Sequence, residues 1–61
     1  MKQEIYHPNG SLRAVIYSSG SESLIYDANG TLLGRYLVQT NETHNANGSL
    51  VGRGNLLMTL I

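Results

Sequence analysis

Apolar and polar residues alternate along this chain in short runs, and each run stops at a cluster of Asn, Gly, Ser or Pro. Period-two alternation marks β-strands, because successive side chains of an extended chain point to opposite faces of a sheet. Glu4 to Tyr6 predicts a short first strand. Ser11 to Ser18 predicts the second, with Leu12, Ala14 and Ile16 on one face and Arg13, Val15 and Tyr17 on the other. Glu22 to Tyr26 follows, Ser23 and Ile25 opposed to Leu24 and Tyr26. Thr31 to Thr40 then sets Leu32, Gly34, Tyr36 and Val38 against Leu33, Arg35, Leu37 and Gln39. Thr40-Asn41-Glu42-Thr43 is the most polar connection, either a turn or an extension of two strands past the sheet edge. From Leu50 to Ile61 the alternation resumes, and strand is favoured over helix to the end because so short a segment leaves no room for a cap and supporting turns.

A repeated unit sets where the strands turn back. Tyr26-Asp27-Ala28-Asn29-Gly30-Thr31-Leu32 is echoed by Tyr6-His7-Pro8-Asn9-Gly10-Ser11-Leu12 and by His44-Asn45-Ala46-Asn47-Gly48-Ser49-Leu50. Asp27 or Asn45 at the first corner can accept backbone N–H bonds, and Pro8 supplies the fixed φ that suits the second corner of a type I turn. Gly10, Gly30 and Gly48 then take a positive φ, closing the turn with a G1 bulge; this is favoured over a two-residue type I′ hairpin centred on Asn-Gly. Ser19-Gly20-Ser21 reads as one more hairpin connection.

Because every connection is short, the predicted fold is a single all-β domain spanning residues 1–61, an antiparallel meander of five or six strands. Its strands are apolar on both faces, whereas an antiparallel sheet normally turns one polar face to water. The expected resolution is a sheet that stacks on a sheet of another chain rather than curling into a small barrel. The apolar end, Leu56, Leu57, Met58, Leu60 and Ile61, is assigned to that subunit interface together with Tyr36, since each buried large side chain contributes about 1.5 to 3 kcal/mol. Gly34 and Gly52 each follow a turn glycine by four residues, so one sheet position is left bare twice. An aromatic such as Tyr26 or Tyr36 lying across the bare patch is the expected reason, and a substrate backbone the alternative.

Composition narrows the partners. The formal charge is zero at pH 7 with four Lys or Arg residues, so nothing marks a nucleic-acid or anionic-membrane surface. No apolar run reaches transmembrane length and no signal peptide is visible, which makes the cytoplasm the expected location; a secreted chain without its leader would read the same. Cysteine is absent, so a domain this small must be stabilised without disulfides, and a partner copy is the expected means.

Candidate chemistry is sparse. His7 and His44 sit at turn shoulders without a metal-ligand spacing, and Glu22, Asp27 and Glu42 are scattered without pairing, so no catalytic, metal or cofactor-binding residue is expected. Ser18, Ser19, Ser21 and Ser23 read as turn and edge hydroxyls. Gly52-Arg53-Gly54-Asn55 lacks the strand-to-helix setting of a phosphate loop. Asn9, Asn29, Asn41 and Asn47 fall in glycosylation sequons, three of which are simply the repeated turn. Arg35 and Arg53 are expected to pair with Glu22 or Glu42 across strands or to line an assembly interface. Tyr26, Tyr36, Arg35 and Arg53 are the candidate ligand-binding residues if the sheet holds a small molecule or a glycan.

Tyr26-Asp27-Ala28-Asn29-Gly30-Thr31-Leu32-Leu33-Gly34-Arg35-Tyr36 resembles the Tyr-Asp-x-x-Gly-x-x-x-Gly hairpin units of small, largely uncharacterised bacterial all-β proteins, and Asn45 to Arg53 resembles the same unit with Asn replacing Asp. It is also similar to the tyrosine-aspartate repeats of large toxin shells, although a chain of this length with unequally spaced units does not suit a hollow shell. The resemblance implies a β-rich scaffold and brings no catalytic residues with it. The expected function is a homo-oligomeric β-sheet scaffold or protein-interaction module, with a ligand- or glycan-binding module as the alternative; an enzyme is not expected.

Overall fold

The computed structural model describes residues 1–61 as one six-stranded antiparallel sheet in the order β1-β2-β3-β4-β5-β6, an open meander that does not close into a barrel. The strands are β1 (Lys2–Tyr6), β2 (Leu12–Ser18), β3 (Glu22–Asp27), β4 (Leu32–Leu37), β5 (Glu42–Asn45) and β6 (Leu50–Arg53). A single 3₁₀ turn, η1 (Leu57–Leu60), ends the chain. No helix is long and apolar enough to cross a membrane.

The three repeated turns fold alike. The first corner's carbonyl accepts the glycine N–H in each, at 2.9 Å for His7 and Gly10, 3.0 Å for Asp27 and Gly30, and 3.0 Å for Asn45 and Gly48. All three glycines have φ between 87° and 91°. This is the type I turn with a G1 bulge. Asp27 Oδ1 accepts the N–H groups of Asn29 and Thr31, both at 2.9 Å, and Asn45 Oδ1 does the same for Asn47 and Ser49 at 2.9 and 3.1 Å. In the first turn the duty passes to Asn9, whose Oδ1 accepts the Ser11 N–H at 3.0 Å and hydroxyl at 2.7 Å.

A second bulge follows each turn and changes which face some residues occupy. Tyr6 pairs with Leu12 but Ile5 with Ala14; Tyr26 pairs with Leu32 but Ile25 with Gly34; His44 pairs with Leu50 but Thr43 with Gly52. Arg13, Leu33 and Val51 are thus the extra residues of their strands. An extra residue breaks strict alternation. Leu12 and Leu32 therefore share a face with Tyr6 and Tyr26, not with Ala14 and Gly34 as unbroken alternation predicts, while Leu33 packs against the core.

One face of the sheet is covered by the chain's own end. Ala14, Ile16 and Ile25 pack with Leu57, and Ile5, Leu33, Tyr36, Leu60 and Ile61 surround them. Continued strand over Leu56 to Ile61 is not what forms. Gly54 takes φ 91° and turns the chain out of β6, after which Leu56 and Leu57 fold back over the sheet. The bare positions at Gly34 and Gly52 receive this tail, not a tyrosine. A side chain at Gly34 would collide with Leu60 and lie 2.5 Å from the His44 carbonyl oxygen, and one at Gly52 would lie 2.7 Å from Leu56. Thr43, fully buried in β5, clasps the tail's entry: its hydroxyl donates to the Gly54 carbonyl at 2.6 Å and accepts the Leu56 N–H at 3.0 Å.

Candidate functional site

The other face has no cover. Directly paired residues share a face, so the register reads out its rows. One row runs Lys2, Tyr17, Leu24, Arg35, His44, Leu50; the next runs Glu4, Val15, Tyr26, Leu32. An apolar centre of Val15, Tyr17, Leu24, Tyr26 and Leu32 results, with Lys2 and Glu4 flanking it on β1 and Arg35, Glu42 and His44 flanking it on β4 and β5. Tyr17 and Tyr26 meet edge to face, ring centroids 5.6 Å apart at 80°. Tyr17 is 47% exposed, while Val15, opposite Tyr26 and two residues before Tyr17, is only 8% exposed.

The β1 to β3 end of this face is hollowed into an open groove of about 640 Å³, lined by Glu4, Leu12, Val15, Tyr17, Tyr26 and Asp27 among others. Two phenol rings give it an aromatic character, and its charges are mixed, the Lys2 ammonium beside the carboxylates of Glu4 and Asp27. Glu4 is held in place by the Tyr6 hydroxyl, which donates to Glu4 Oε1 at 3.1 Å. That hydrogen bond, and the carboxylate's charge beside it, raise the Tyr6 phenol above its ordinary value of 10.0.

The predicted ligand residues do not converge. Tyr26 lines the groove. Tyr36 lies on the covered face against the core, with its hydroxyl donating to Asn41 Oδ1 at 2.8 Å. Arg35 and Arg53 lie on the open face outside the groove, both exposed, and neither forms the ion pair expected with Glu22 or Glu42. Of the residues assigned to an interface, Leu57 is 1% exposed within its own chain, Leu56, Leu60, Ile61 and Tyr36 are half-buried, and Met58 is 55% exposed.

Tyr17, Glu4 and Val15 were not singled out by their sequence context, yet they form the open face's centre and rim. Their signal lies in the turns: once the glycines fix the register, Glu4, Val15 and Tyr26 fall in one row. His44 Nε2 stands 3.8 Å from Glu42 Oε1 on the open sheet, outside the groove. No three His, Asp or Glu residues gather to hold a metal ion.

Comparison with protein-family models, with curated proteins and with solved structures finds no match to this chain.

Proposed function

We propose that this chain is a homo-oligomeric β-sheet module whose open face stacks on that of a second copy, forming a scaffold or protein-interaction unit. One observation carries the reading: the tail covers one sheet face, and no element of residues 1–61 lies over the apolar centre of the other. Six strands about 4.8 Å apart and roughly five residues long present a face of about 480 Å². A stacked pair would bury about 1,000 Å² in total, the lower limit for a specific interface, which suits a reversible dimer. Neither rim repels a second copy, because Lys2 offsets Glu4 on one side and Arg35 offsets Glu42 on the other.

Light scattering after size exclusion, over a series of protein concentrations, tests this. The mass should rise towards a dimer, and Tyr17→Lys with Leu24→Lys should return it to the monomer. A native chain that stays monomeric throughout contradicts the reading.

The groove supports a second reading as a ligand-binding module. Its mixed polar rim of Lys2, Glu4 and Asp27 suits the hydroxyl groups of a polyhydroxylated ligand, and its rings offer faces for a sugar or an amine. Titration with simple sugars and alkylamines, followed through Tyr17 and Tyr26 ring signals, tests it; signals unmoved by every compound argue against this reading.

A further inference from the structure

The repeat extends beyond the turns to the way hairpins join. In the β2–β3 junction Ala14 stands opposite Asp27, Val15 opposite Tyr26 and Ile16 opposite Ile25. In the β4–β5 junction Gly34 stands opposite Asn45, Arg35 opposite His44 and Tyr36 opposite Thr43. Counted from the turn glycines, the two registers are identical: the residue four after Gly10 or Gly30 meets the residue three before the next turn glycine. One rule therefore joins the first hairpin to the second and the second to the third.

β6 and β1 are the two ends of that series, and each carries an unused half of the junction. From these observations we infer that the β6 edge of one chain pairs antiparallel with the β1 edge of another, in the register the two internal junctions already use. Gly52 then stands opposite His7 of the next copy and Arg53 opposite Tyr6.

The backbone is in phase for this. Met1 and Ser18 exchange hydrogen bonds, so by antiparallel alternation Lys2, Glu4 and Tyr6 turn their N–H and C=O groups away from β2. Gly54 donates to the Asn41 carbonyl, so Arg53 turns its own groups away from β5. Arg53 and Tyr6 thus meet as a hydrogen-bonded pair, as Val15 and Tyr26 do within the chain.

The side chains agree. Arg53 and Tyr6 both belong to the open face, so pairing keeps the face continuous. Arg53 is exposed and has no carboxylate within 4.0 Å in its own chain. In the shared register the Tyr6 ring lies directly across from it and Glu4 of the next copy on the diagonal, within reach of a long side chain. Lys2, an edge-blocking charge by type, falls beyond the last pair and does not oppose the contact. Since Gly54 ends β6, the junction is shorter than the two it copies and makes a weak, head-to-tail association.

This edge is separate from the stacking face, so its test starts from the Tyr17→Lys, Leu24→Lys chain, in which stacking is removed. Hydrogen exchange of the Arg53 and Tyr6 amides is followed from micromolar to millimolar protein. The inference expects both amides to slow as concentration rises. Arg53→Glu, which sets like charges on the diagonal and also opposite Glu42 within its own chain, should weaken the association about tenfold, and adding Glu4→Arg, which leaves Glu42 untouched, should restore it. Amides that exchange as freely at the highest concentration as at the lowest overturn the inference, as does a double charge reversal that restores nothing. Should the native chain show no stacking while these amides still slow, the stacking reading fails and the edge pairing holds.

Discussion

The two faces of this sheet have similar apolar content and opposite fates. On one, Ile16 and Ile25 lie beside positions reduced to Ala14, Gly34 and Gly52, and the resulting hollow takes Leu56, Leu57 and Leu60. On the other, the corresponding rows are filled by Tyr17, Leu24 and Tyr26, which leave a shallow groove and no seat for the tail. Small residues four after each turn glycine therefore decide which face becomes the core. Hydrophobicity alone does not separate the two faces; the room left above the backbone does.

Substitutions on either face should expose that difference. Leu57→Ala removes the one tail side chain fully enclosed by the sheet and should cost about 2 to 5 kcal/mol, a large share of the stability of so small a domain. Tyr17→Ser on the open face gives up the edge-to-face contact with Tyr26 and should cost the monomer about 1 kcal/mol, well below Leu57→Ala, while weakening association. Urea denaturation of the two variants at low concentration measures the contrast, and equal losses would erase it.

Next in size is the clasp. Thr43→Val keeps the shape but leaves the Leu56 N–H and the Gly54 carbonyl without their partner, at a cost of about 1 to 3 kcal/mol. Amide exchange at Leu56 should accelerate more than exchange anywhere in β2 or β3. Unchanged exchange there would mean that the tail is held by its leucines alone.

The bare positions should differ from each other. At Gly34 an added methyl meets the backbone of β5 as well as Leu60, and Gly34→Ala should destabilise by about 1 to 3 kcal/mol. At Gly52 it meets only the end of Leu56, which can rotate, so Gly52→Ala should cost less. Thermal melts of the two variants rank them, and the reverse order would put the tail's main seat over β6.

The smallest effect concerns the open face's rim. Glu4→Gln removes the charge that opposes ionisation of Tyr6, so the phenol should titrate at lower pH than in the native chain. The sign is fixed by the raised value: the Tyr6–Glu4 contact is intact at neutral pH and is lost as pH climbs through the Tyr6 titration. Ring-carbon chemical shifts of Tyr6 followed against pH read this directly, and an unmoved midpoint would detach Glu4 from Tyr6.

Much of this architecture is legible in the sequence, because its turns are built from residue types that favour turn conformations, glycine at positive φ above all. Asn-Gly behind Asp27, Asn45 or Pro8 specifies the hairpins, and short connections then force a meander. The paired bulges are not legible: Arg13, Leu33 and Val51 share no side-chain property, and alternation read through them places Leu12 and Leu32 on the wrong face. Residues Leu56 to Leu60 deceive for a related reason. Their spacing suits a strand, but Gly54 at positive φ and the Thr43 clasp redirect the chain first. β5 is hidden by its polarity, since Glu42-Thr43-His44-Asn45 carries no apolar residue and pairs on both sides through its backbone. Of the candidate site, Tyr26 is legible as an aromatic before a turn. Its neighbours Tyr17 and Glu4 emerge only from cross-strand register, which also separates Tyr36 from Arg35 and Arg53.

The most direct test of the two-face account is paramagnetic relaxation of the leucine and valine methyl groups by a soluble probe, read at low and at high protein concentration. The account predicts that Leu57 is shielded at both, whereas Leu24 and Leu32 are relaxed in the dilute sample and become shielded as the chains associate. Relaxation of Leu57 in the dilute sample would contradict it, as would association that leaves Leu24 and Leu32 open to the probe.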